Sequence, residues 1–258
     1  MSAPIKTSQV GTLRVHVFSC SRDAAGTAAR EAAAILRDTI ARHGRARLVV
    51  ATGNSQLEFI DTLVQAQDLD WSAVEAFHLD EYAGMRMTHP ASFRLWLKTR
   101  LADHVPLHAM RYLAGDAPDL EAECRRYGDL LAEAPVDVGA IGIGENGHIA
   151  FNDPPVADVA DPLRVKIVRL DDASRYQQVG EGHFDSISAV PERALSLTCS
   201  SILDMRNLIC CVPERRKAKA VQNTLEGPIS TACPASVLRT HPRAQLFLDL
   251  ESASLLQL

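Results

Sequence analysis

The sequence predicts an α/β fold built on an open, mainly parallel sheet with helices on both faces, and three observations support this prediction. Short β-branched runs alternate with helix-length segments between residues 13 and 144, which is the pattern of parallel strands joined by crossover helices. Apolar residues make up 47% of the 258 residues, enough to cover both faces of one large sheet. The chain has no internal repeat, low-complexity tract or linker. We therefore predict a single three-layer, Rossmann-like domain over residues 1–258.

The predicted strands are short apolar runs bounded by turn residues. In the first half they lie at 13–18, 46–52, 73–80, near 110–115 and at 136–144. In the second half, where the order of elements is more mixed, they lie at 163–170, 193–199, 207–212 and 243–250.

The predicted helices carry apolar residues at helical spacing. They lie at 21–44, 56–67, 92–101, 119–134 and 215–227. We expect Ser21 to cap the first of them and Gly44 to end it. Serine favours the N-cap position, and glycine favours the left-handed turn that follows a helix.

The composition argues against several classes of protein. A formal charge of −5 without a basic stripe argues against nucleic-acid binding. No apolar stretch approaches the roughly 18 residues needed to cross a bilayer, and residues 1–18 lack the apolar core of a signal peptide. The six cysteines are scattered without a C-x-x-C pair, which is typical of reduced thiols. We expect a cytoplasmic protein with neither a nucleic-acid nor a membrane partner.

Four polar clusters follow predicted strands, and their positions predict a ligand site. In an open parallel sheet, ligands bind in the crevice at the carboxyl ends of the strands. The clusters lie at 52–56, 80–82, 145–153 and 215–217. We therefore expect their side chains to meet at one edge of the sheet.

Two of these clusters have the chemistry of an anion site. The stretch ATGNSQ joins a strand to a helix through Gly53, so backbone N–H groups and the Ser55 hydroxyl could hold a phosphate. Lys217 lies near the start of a helix, where a cation is unfavourable unless it faces a bound anion. The alternatives are an ordinary capped helix and a solvated helix face.

The other two clusters suit proton transfer. Asp80 and Glu81 follow an apolar strand, and strand alternation lets at most one of them face a given pocket. A carboxylate at the rim of a partly dry crevice can move protons near neutral pH, although a solvated strand end is the alternative. Histidine is the side-chain type suited to proton transfer at neutral pH, and His148 could be oriented by Asp153 or Glu145. A metal site is disfavoured, because no second histidine lies at ligand spacing.

Taken in order, LDEYAG, HPASF, GHIAFNDP and RKA…LEG resemble motifs of the glucosamine-6-phosphate deaminase (isomerase) family, which shares its fold with 6-phosphogluconolactonases. The resemblance covers about residues 10–250. It implies conversion of an amino-sugar phosphate into fructose 6-phosphate and ammonia, without a metal or organic cofactor. It further implies that Asp80 moves a proton from C2 to C1 and that His148 helps to open the sugar ring. The residues in the family's phosphate-binding positions are Thr52, Gly53, Asn54, Ser55 and Lys217.

The sequence also departs from the family pattern. GENGHIAFNDP stands where GNDGHIAFNEP is usual, so Asn146 replaces an aspartate that partners the histidine and Asp153 replaces a glutamate. Glu145 could supply the missing charge only if the loop is re-registered. The usual phosphate-binding arginine is absent from residues 180–184, and nearby Arg175 is the candidate substitute.

These departures leave three functions open: an amino-sugar-phosphate deaminase, a 6-phosphogluconolactonase-like hydrolase, and a non-catalytic sugar-phosphate-binding protein. In all three, the expected partner is a small-molecule sugar phosphate. The sequence leaves the oligomeric state open, a homo-oligomer included.

Overall fold

A computed structural model describes residues 3–257 of the chain. The strands are β1 (Lys6–Val10), β2 (Leu13–Phe18), β3 (Ala46–Val50), β4 (Val74–His78), β5 (Asp80–Tyr82), β6 (Ala109–Met110), β7 (Val138–Ile141), β8 (Val165–Arg169), β9 (Arg193–Leu197), β10 (Leu208–Val212) and β11 (Ala244–Asp249). The helices are α1 (Ser21–His43), α2 (Leu57–Leu63), α3 (Phe93–Leu97), α4 (Leu120–Ala132), α5 (Asp172–Gly180), α6 (Cys199–Leu203) and α7 (Ala218–Glu226).

Eight strands form the main sheet, in the spatial order β1-β2-β11-β10-β7-β3-β4-β6. All neighbours in it are parallel except the β1–β2 hairpin at one edge. A second, antiparallel sheet has the order β5-β9-β8. The predicted fold class, a mainly parallel sheet flanked by helices, is therefore confirmed.

The core lies on both faces of the main sheet, because successive side chains of a strand point to opposite faces. On β3, Leu48 and Val50 pack into the core that also buries the alanines of α1. Val49 packs on the other face, in the core that includes Tyr127 of α4 and Val221 of α7. Strands buried on both faces explain why the predicted strands are continuous apolar runs.

Several element boundaries differ from the prediction. Cys20, rather than Ser21, is the N-cap of α1, and its side chain makes no capping hydrogen bond. Gly44 does end the helix, with φ 76° and its N–H donated to Ile40. The strand predicted at 73–80 is divided, because the chain leaves the main sheet after His78 and enters the small sheet at Asp80. The sequence patterns do not predict β1, α5 or α6.

The cysteines and the helices bear on the expected cellular location of the protein. Five of the six cysteines are buried, Cys20 is exposed, and all six are free thiols. None of the helices within residues 3–257 is long and apolar enough to cross a membrane.

Candidate active site

A cleft lies at the carboxyl edge of the main sheet. β3 and β7 are neighbours there, although the chain visits β4 and β6 between them. This reversal of strand order is the switch point at which open α/β sheets bind ligands. All four polar clusters contribute to the lining. The predicted site residues that line the cleft are Thr52, Gly53, Ser55, Asp80, His148 and Lys217.

The turn after β3 forms one end of the cleft. Gly53 has φ 99°, a conformation that side chains other than hydrogen rarely allow. A short 3₁₀ turn follows at Asn54–Gln56. The buried Gln56 donates its amide to Ser55 Oγ (3.2 Å) and to the carbonyl of Cys211 (3.1 Å), which ties the turn to β10. The turn is thereby held in a shape that leaves Thr52, Gly53 and Ser55 facing the cleft.

Lys217 brings a buried cation to the same end. The residue is only 2% exposed and lies at the junction between a 3₁₀ turn and α7. Burial lowers the pKa of Lys217 to about 8, even though nearby Glu181 favours the charged form. A lysine held in this way gains stability when an anion binds beside it. Together with the turn after β3, Lys217 makes an anion cradle.

Glu181 also lines this end of the cleft, which sequence reasoning did not anticipate. Its carboxylate accepts hydrogen bonds from Arg216 Nη1 and Gln177 Nε2, both at 2.8 Å. Burial alone would raise the pKa of Glu181, but His183, Arg216 and Lys217 lower it to about 2. The cradle therefore holds an ionised acid as well as a cation.

Five predicted residues do not reach the cleft lining: Asn146 and Asp153, which are described below, and Glu145, Asn54 and Arg175. Glu145 is exposed and pairs with Arg216 at 3.1 Å, so it does not supply a charge to the histidine. Asn54 is also exposed and donates to the carbonyl of Glu181 at 3.2 Å. Arg175 is not the substitute for the missing arginine. Its guanidinium donates to the carbonyls of residues 187 and 190, at 2.8 and 3.2 Å, because its position on α5 turns it away from the cleft.

Asp80 faces the cleft and Glu81 faces away from it, as strand alternation predicts. Asp80 is 8% exposed, and burial together with the charge of Glu81 raises its pKa to about 8. Glu81 is fully buried on the other side, where it accepts hydrogen bonds from Ser92 Oγ (2.6 Å) and Arg94 Nε (3.2 Å). Asp80 is therefore a carboxyl group that can gain or lose a proton near neutral pH.

A buried histidine fixes the backbone of Asp80. His78 Nδ1 lies 2.8 Å from the carbonyl of Asp80, and His78 Nε2 lies 2.9 Å from the N–H of Leu113. Burial lowers the pKa of His78 to about 4. The ring is therefore neutral, with Nδ1 donating and Nε2 accepting. It holds the chain where it passes from β4 to β5.

The imidazole of His148 is held on three sides. It packs directly against the Cα of Gly144, where any Cβ would overlap the ring. Its Nδ1 lies 3.0 Å from Asp153 Oδ1 and 2.9 Å from Ser174 Oγ. Among residues 3–257, the hydrogen bonds of the ring all involve Nδ1, and His148 itself lines the cleft. The arrangement can therefore present Nε2 to a ligand oxygen.

Asn146 supports Asp153 rather than the histidine ring. Its Nδ2 donates to Asp153 Oδ1 and its Oδ1 accepts from the N–H of His148, both at 3.0 Å. Ser174 Oγ and the N–H of Asp171 also donate to the Asp153 carboxylate. Burial would raise the pKa of Asp153, but His148 and the hydrogen bonds from Asn146 and Ser174 lower it. The ring therefore has an ionised carboxylate at Nδ1, although Asn146 itself carries no charge.

Helix α5 contributes the residues that sequence reasoning missed. Ser174 bridges His148 and Asp153, and Gln177 and Gln178 line the cleft. Gln178 also accepts a hydrogen bond from the buried Tyr82 hydroxyl at 2.7 Å. A signal was present in the sequence, since Asp171 caps the helix with its side chain and aspartate is a preferred N-cap.

Comparison with known sequences gives consistent matches over most of the chain. A family model described as glucosamine-6-phosphate isomerases/6-phosphogluconolactonase matches residues 20–247. The glucosamine-6-phosphate deaminase of Lactobacillus delbrueckii subsp. bulgaricus is 35% identical over 216 residues, 83% of this chain and 89% of the relative. That of Bacillus cytotoxicus is 36% identical over 221 residues, 86% of this chain and 82% of the relative.

Solved structures give the same picture. A monomeric glucosamine-6-phosphate deaminase superimposes with a TM-score of 0.85 at 33% identity, covering 94% of this chain and 99% of the other. A 6-phosphogluconolactonase from Shewanella baltica OS155 superimposes with a TM-score of 0.75 at 19% identity, covering 96% of this chain and 99% of the other. At that identity, the second likeness concerns the fold alone.

Proposed function

Because this chain belongs to the family of glucosamine-6-phosphate isomerases and 6-phosphogluconolactonases, we propose that it converts glucosamine 6-phosphate into fructose 6-phosphate and ammonia. One observation carries the proposal: Asp80, His148 and the anion cradle line the same cleft. The cradle supplies a place for the phosphate, and the two titratable side chains supply a place for the reacting end of the sugar.

His148 would open the sugar ring. With Asp153 at Nδ1, Nε2 accepts the proton of the anomeric hydroxyl and returns it to the ring oxygen, which leaves an open chain with an aldehyde at C1. The ionised Asp153 stabilises the imidazolium that exists between these two transfers. The Asp153 carboxylate supplies the charge that this stabilisation needs, and Asn146 can hold that carboxylate in place without carrying a charge.

Asp80 would then move a proton between carbons. The C1 aldehyde acidifies the C2–H, and the Asp80 carboxylate removes that proton to give an enolamine. Asp80 delivers the proton to C1 while a proton passes from the nitrogen to O1, which leaves an imine at C2 and a hydroxyl group at C1. Water adds to the imine and ammonia leaves, giving the ketone of fructose 6-phosphate. A carboxyl group whose pKa is about 8 is a stronger base than an ordinary aspartate and still a competent acid near neutral pH.

The position of Asp80 favours this reaction over lactone hydrolysis. A hydrolase of the related type needs a base and a water molecule, but it moves no proton between carbons. His148 could serve as that base, so a second proton-exchanging group in the cleft is required only by the isomerising reaction. Asp80 thus supports a deaminase rather than a lactonase.

The direct test is incubation of the purified protein with glucosamine 6-phosphate, followed by measurement of ammonia and fructose 6-phosphate. Equal amounts of both products are expected. Acid release from 6-phosphogluconolactone without ammonia release would instead identify a hydrolase. Micromolar calorimetric binding of phosphosugars, with no turnover of several amino-hexose phosphates, would replace the enzyme with a binding protein.

The cellular location of the protein can be inferred from its thiols. All six cysteines are free, and Cys20 is exposed, whereas oxidising compartments favour disulfides. We therefore infer a cytoplasmic location. We also infer that the chain works as a single domain that acts on a small sugar phosphate.

A further inference from the structure

The anion cradle contains an acid that a phosphate would have to face. Glu181 is bonded to Arg216 and Gln177, and its side chain is only 7% exposed. Its Oε2 lies over the turn after β3, 3.8 Å from where a Cβ on Gly53 would be. A phosphate seated between that turn and Lys217 would therefore meet the carboxylate of Glu181.

The positive charges around Glu181 do not offset its negative charge enough for a phosphate dianion to bind beside it. Arg216 is shared among three carboxylates, with Glu181 at 2.8 Å, Glu145 at 3.1 Å and Glu214 at 2.5 Å. His183 Nε2 lies 3.4 Å from Glu181 Oε2, and the Tyr82 hydroxyl on β5 is uncharged at neutral pH because burial raises its pKa. Lys217 is the one lysine or arginine in the cleft lining, and no carboxylate among residues 3–257 lies within salt-bridge distance of it.

We propose that Glu181 is a specificity residue that makes this cleft bind the phosphate ester as its monoanion, an inference that rests on the proposed function. The P–OH group of the ester donates a hydrogen bond to Glu181 Oε2. Two anionic oxygens at hydrogen-bonding distance need a proton between them. The proton stays on the ligand and no covalent bond changes.

Two features argue that Glu181 stays in place and that the ligand brings the proton. Moving the side chain would break its two half-buried hydrogen bonds and leave the charge of Arg216 less compensated, which is costly. The pKa of Glu181, about 2, also leaves the carboxylate ionised throughout the neutral range. The phosphate ester can supply the proton, since its second pKa is about 6.

This arrangement predicts discrimination between phosphate and sulfate. A sulfate ester has the same shape and a single negative charge, but it has no proton to donate at pH 6. Its oxygen would lie against Glu181 without a hydrogen bond. A hydrogen bond to a charged group contributes roughly ten- to hundredfold in affinity, so the wild-type protein should prefer phosphate by at least about tenfold.

Calorimetry at pH 6.0 tests this with two probes, 2-amino-2-deoxyglucitol 6-phosphate and its 6-sulfate. Neither has a carbonyl group, so neither can be turned over. In Glu181→Gln the amide can donate to either ester, and the preference should fall to within about threefold. Glu192→Gln is the matched control, because that carboxylate lies 66% exposed beside Arg169, and it should keep the wild-type preference.

Phosphorus NMR of the wild-type complex gives a readout that needs no variant. The bound phosphate probe should keep the chemical shift of the monoanion at pH 7.5, where the free ester is mostly dianion. Lys217 is still charged at that pH, since its pKa is about 8. A dianion shift in the complex would overturn the inference.

The remaining outcomes also separate this inference from the proposed reaction. Wild-type protein that releases ammonia from glucosamine 6-phosphate but binds both probes equally overturns the role of Glu181 alone. Full retention of the preference in Glu181→Gln overturns that role as well. A strong phosphate preference without ammonia release supports the role of Glu181 and overturns the deaminase. Failure to bind either probe overturns both.

Discussion

Gly144 is the residue at which the geometry of His148 can be tested most directly. A Cβ added there would lie at least 1 Å inside ordinary contact, which begins near 3.4 Å, with three atoms of the imidazole ring. Gly144 is not among the glycines with positive φ, so alanine introduces no backbone strain. Gly144→Ala therefore changes one thing: the ring must move by about 1 Å, which disturbs the contact between its Nδ1 and Asp153 Oδ1.

A displacement of this size should lower the catalytic rate strongly. Misplacing a catalytic group by about 1 Å costs roughly a hundredfold in rate. We expect kcat for glucosamine 6-phosphate to fall by about that factor, while KM stays within about threefold because the anion cradle is untouched. Overpacking should cost about 1–3 kcal/mol of unfolding free energy, which for a chain of this size lowers Tm by several degrees.

The assay is coupled detection of ammonia over a range of substrate concentrations, with Tm measured on the same samples. Gly26→Ala is the matched control, since the nearest atoms to its new Cβ belong to the flexible end of Arg30. Alanine within helix α1 should leave kcat unchanged and Tm equal or higher. Wild-type kcat in Gly144→Ala, with His148→Ala inactive, would contradict this expectation, because the ring would then not need its position against Gly144.

Three further substitutions and a pH profile test the other parts of the site. Asp80→Asn should abolish ammonia release yet leave calorimetric binding of the glucitol phosphate within about threefold, and comparable loss of both would show that Asp80 is not the proton carrier. In the wild type, kcat at saturating substrate should rise with pH up to about 8, because the raised pKa of Asp80 keeps the base protonated below that pH; a plateau reached by pH 5 would contradict this. Lys217→Met should raise KM by roughly ten- to hundredfold, the value of a charged hydrogen bond, with kcat changed far less, and an unchanged KM would remove Lys217 from the cradle. Ser174→Ala should lower kcat about three- to tenfold and the unfolding free energy by about 1 kcal/mol, and wild-type values of both would show that the bridge to His148 is idle.

Much of the site could be predicted from local patterns alone. The turn at Gly53, the acid at Asp80, the loop at His148 and the cation at Lys217 each follow a strand of the parallel sheet. Parallel strands share one carboxyl edge, so the order of strands and polar clusters along the chain is enough to bring these groups together. Strand alternation is likewise enough to predict that only one of two adjacent acids faces the cleft.

The direction of helical side chains is not predictable in the same way. The sequence suggests Arg175 for the cleft, but its neighbour Ser174 is the residue that reaches His148. One residue along a helix turns a side chain by about 100°. The choice between the two depends on how α5 is rotated against the rest of the molecule, and this is set by packing rather than by the residues of α5 alone.

The mainly parallel sheet, the edge proposed for the ligand, and the family of the chain could all be predicted from the sequence alone. These depend on periodicity, strand order and motifs, which are local along the chain. The pairing of individual groups, in contrast, appears only in the folded structure. Asp153 contacts the His148 ring while Asn146 donates to Asp153, and Glu181 pairs with Arg216, 35 residues away. Hydrogen bonds and buried charges act over a few ångströms in space, so such pairings appear only when the chain is folded.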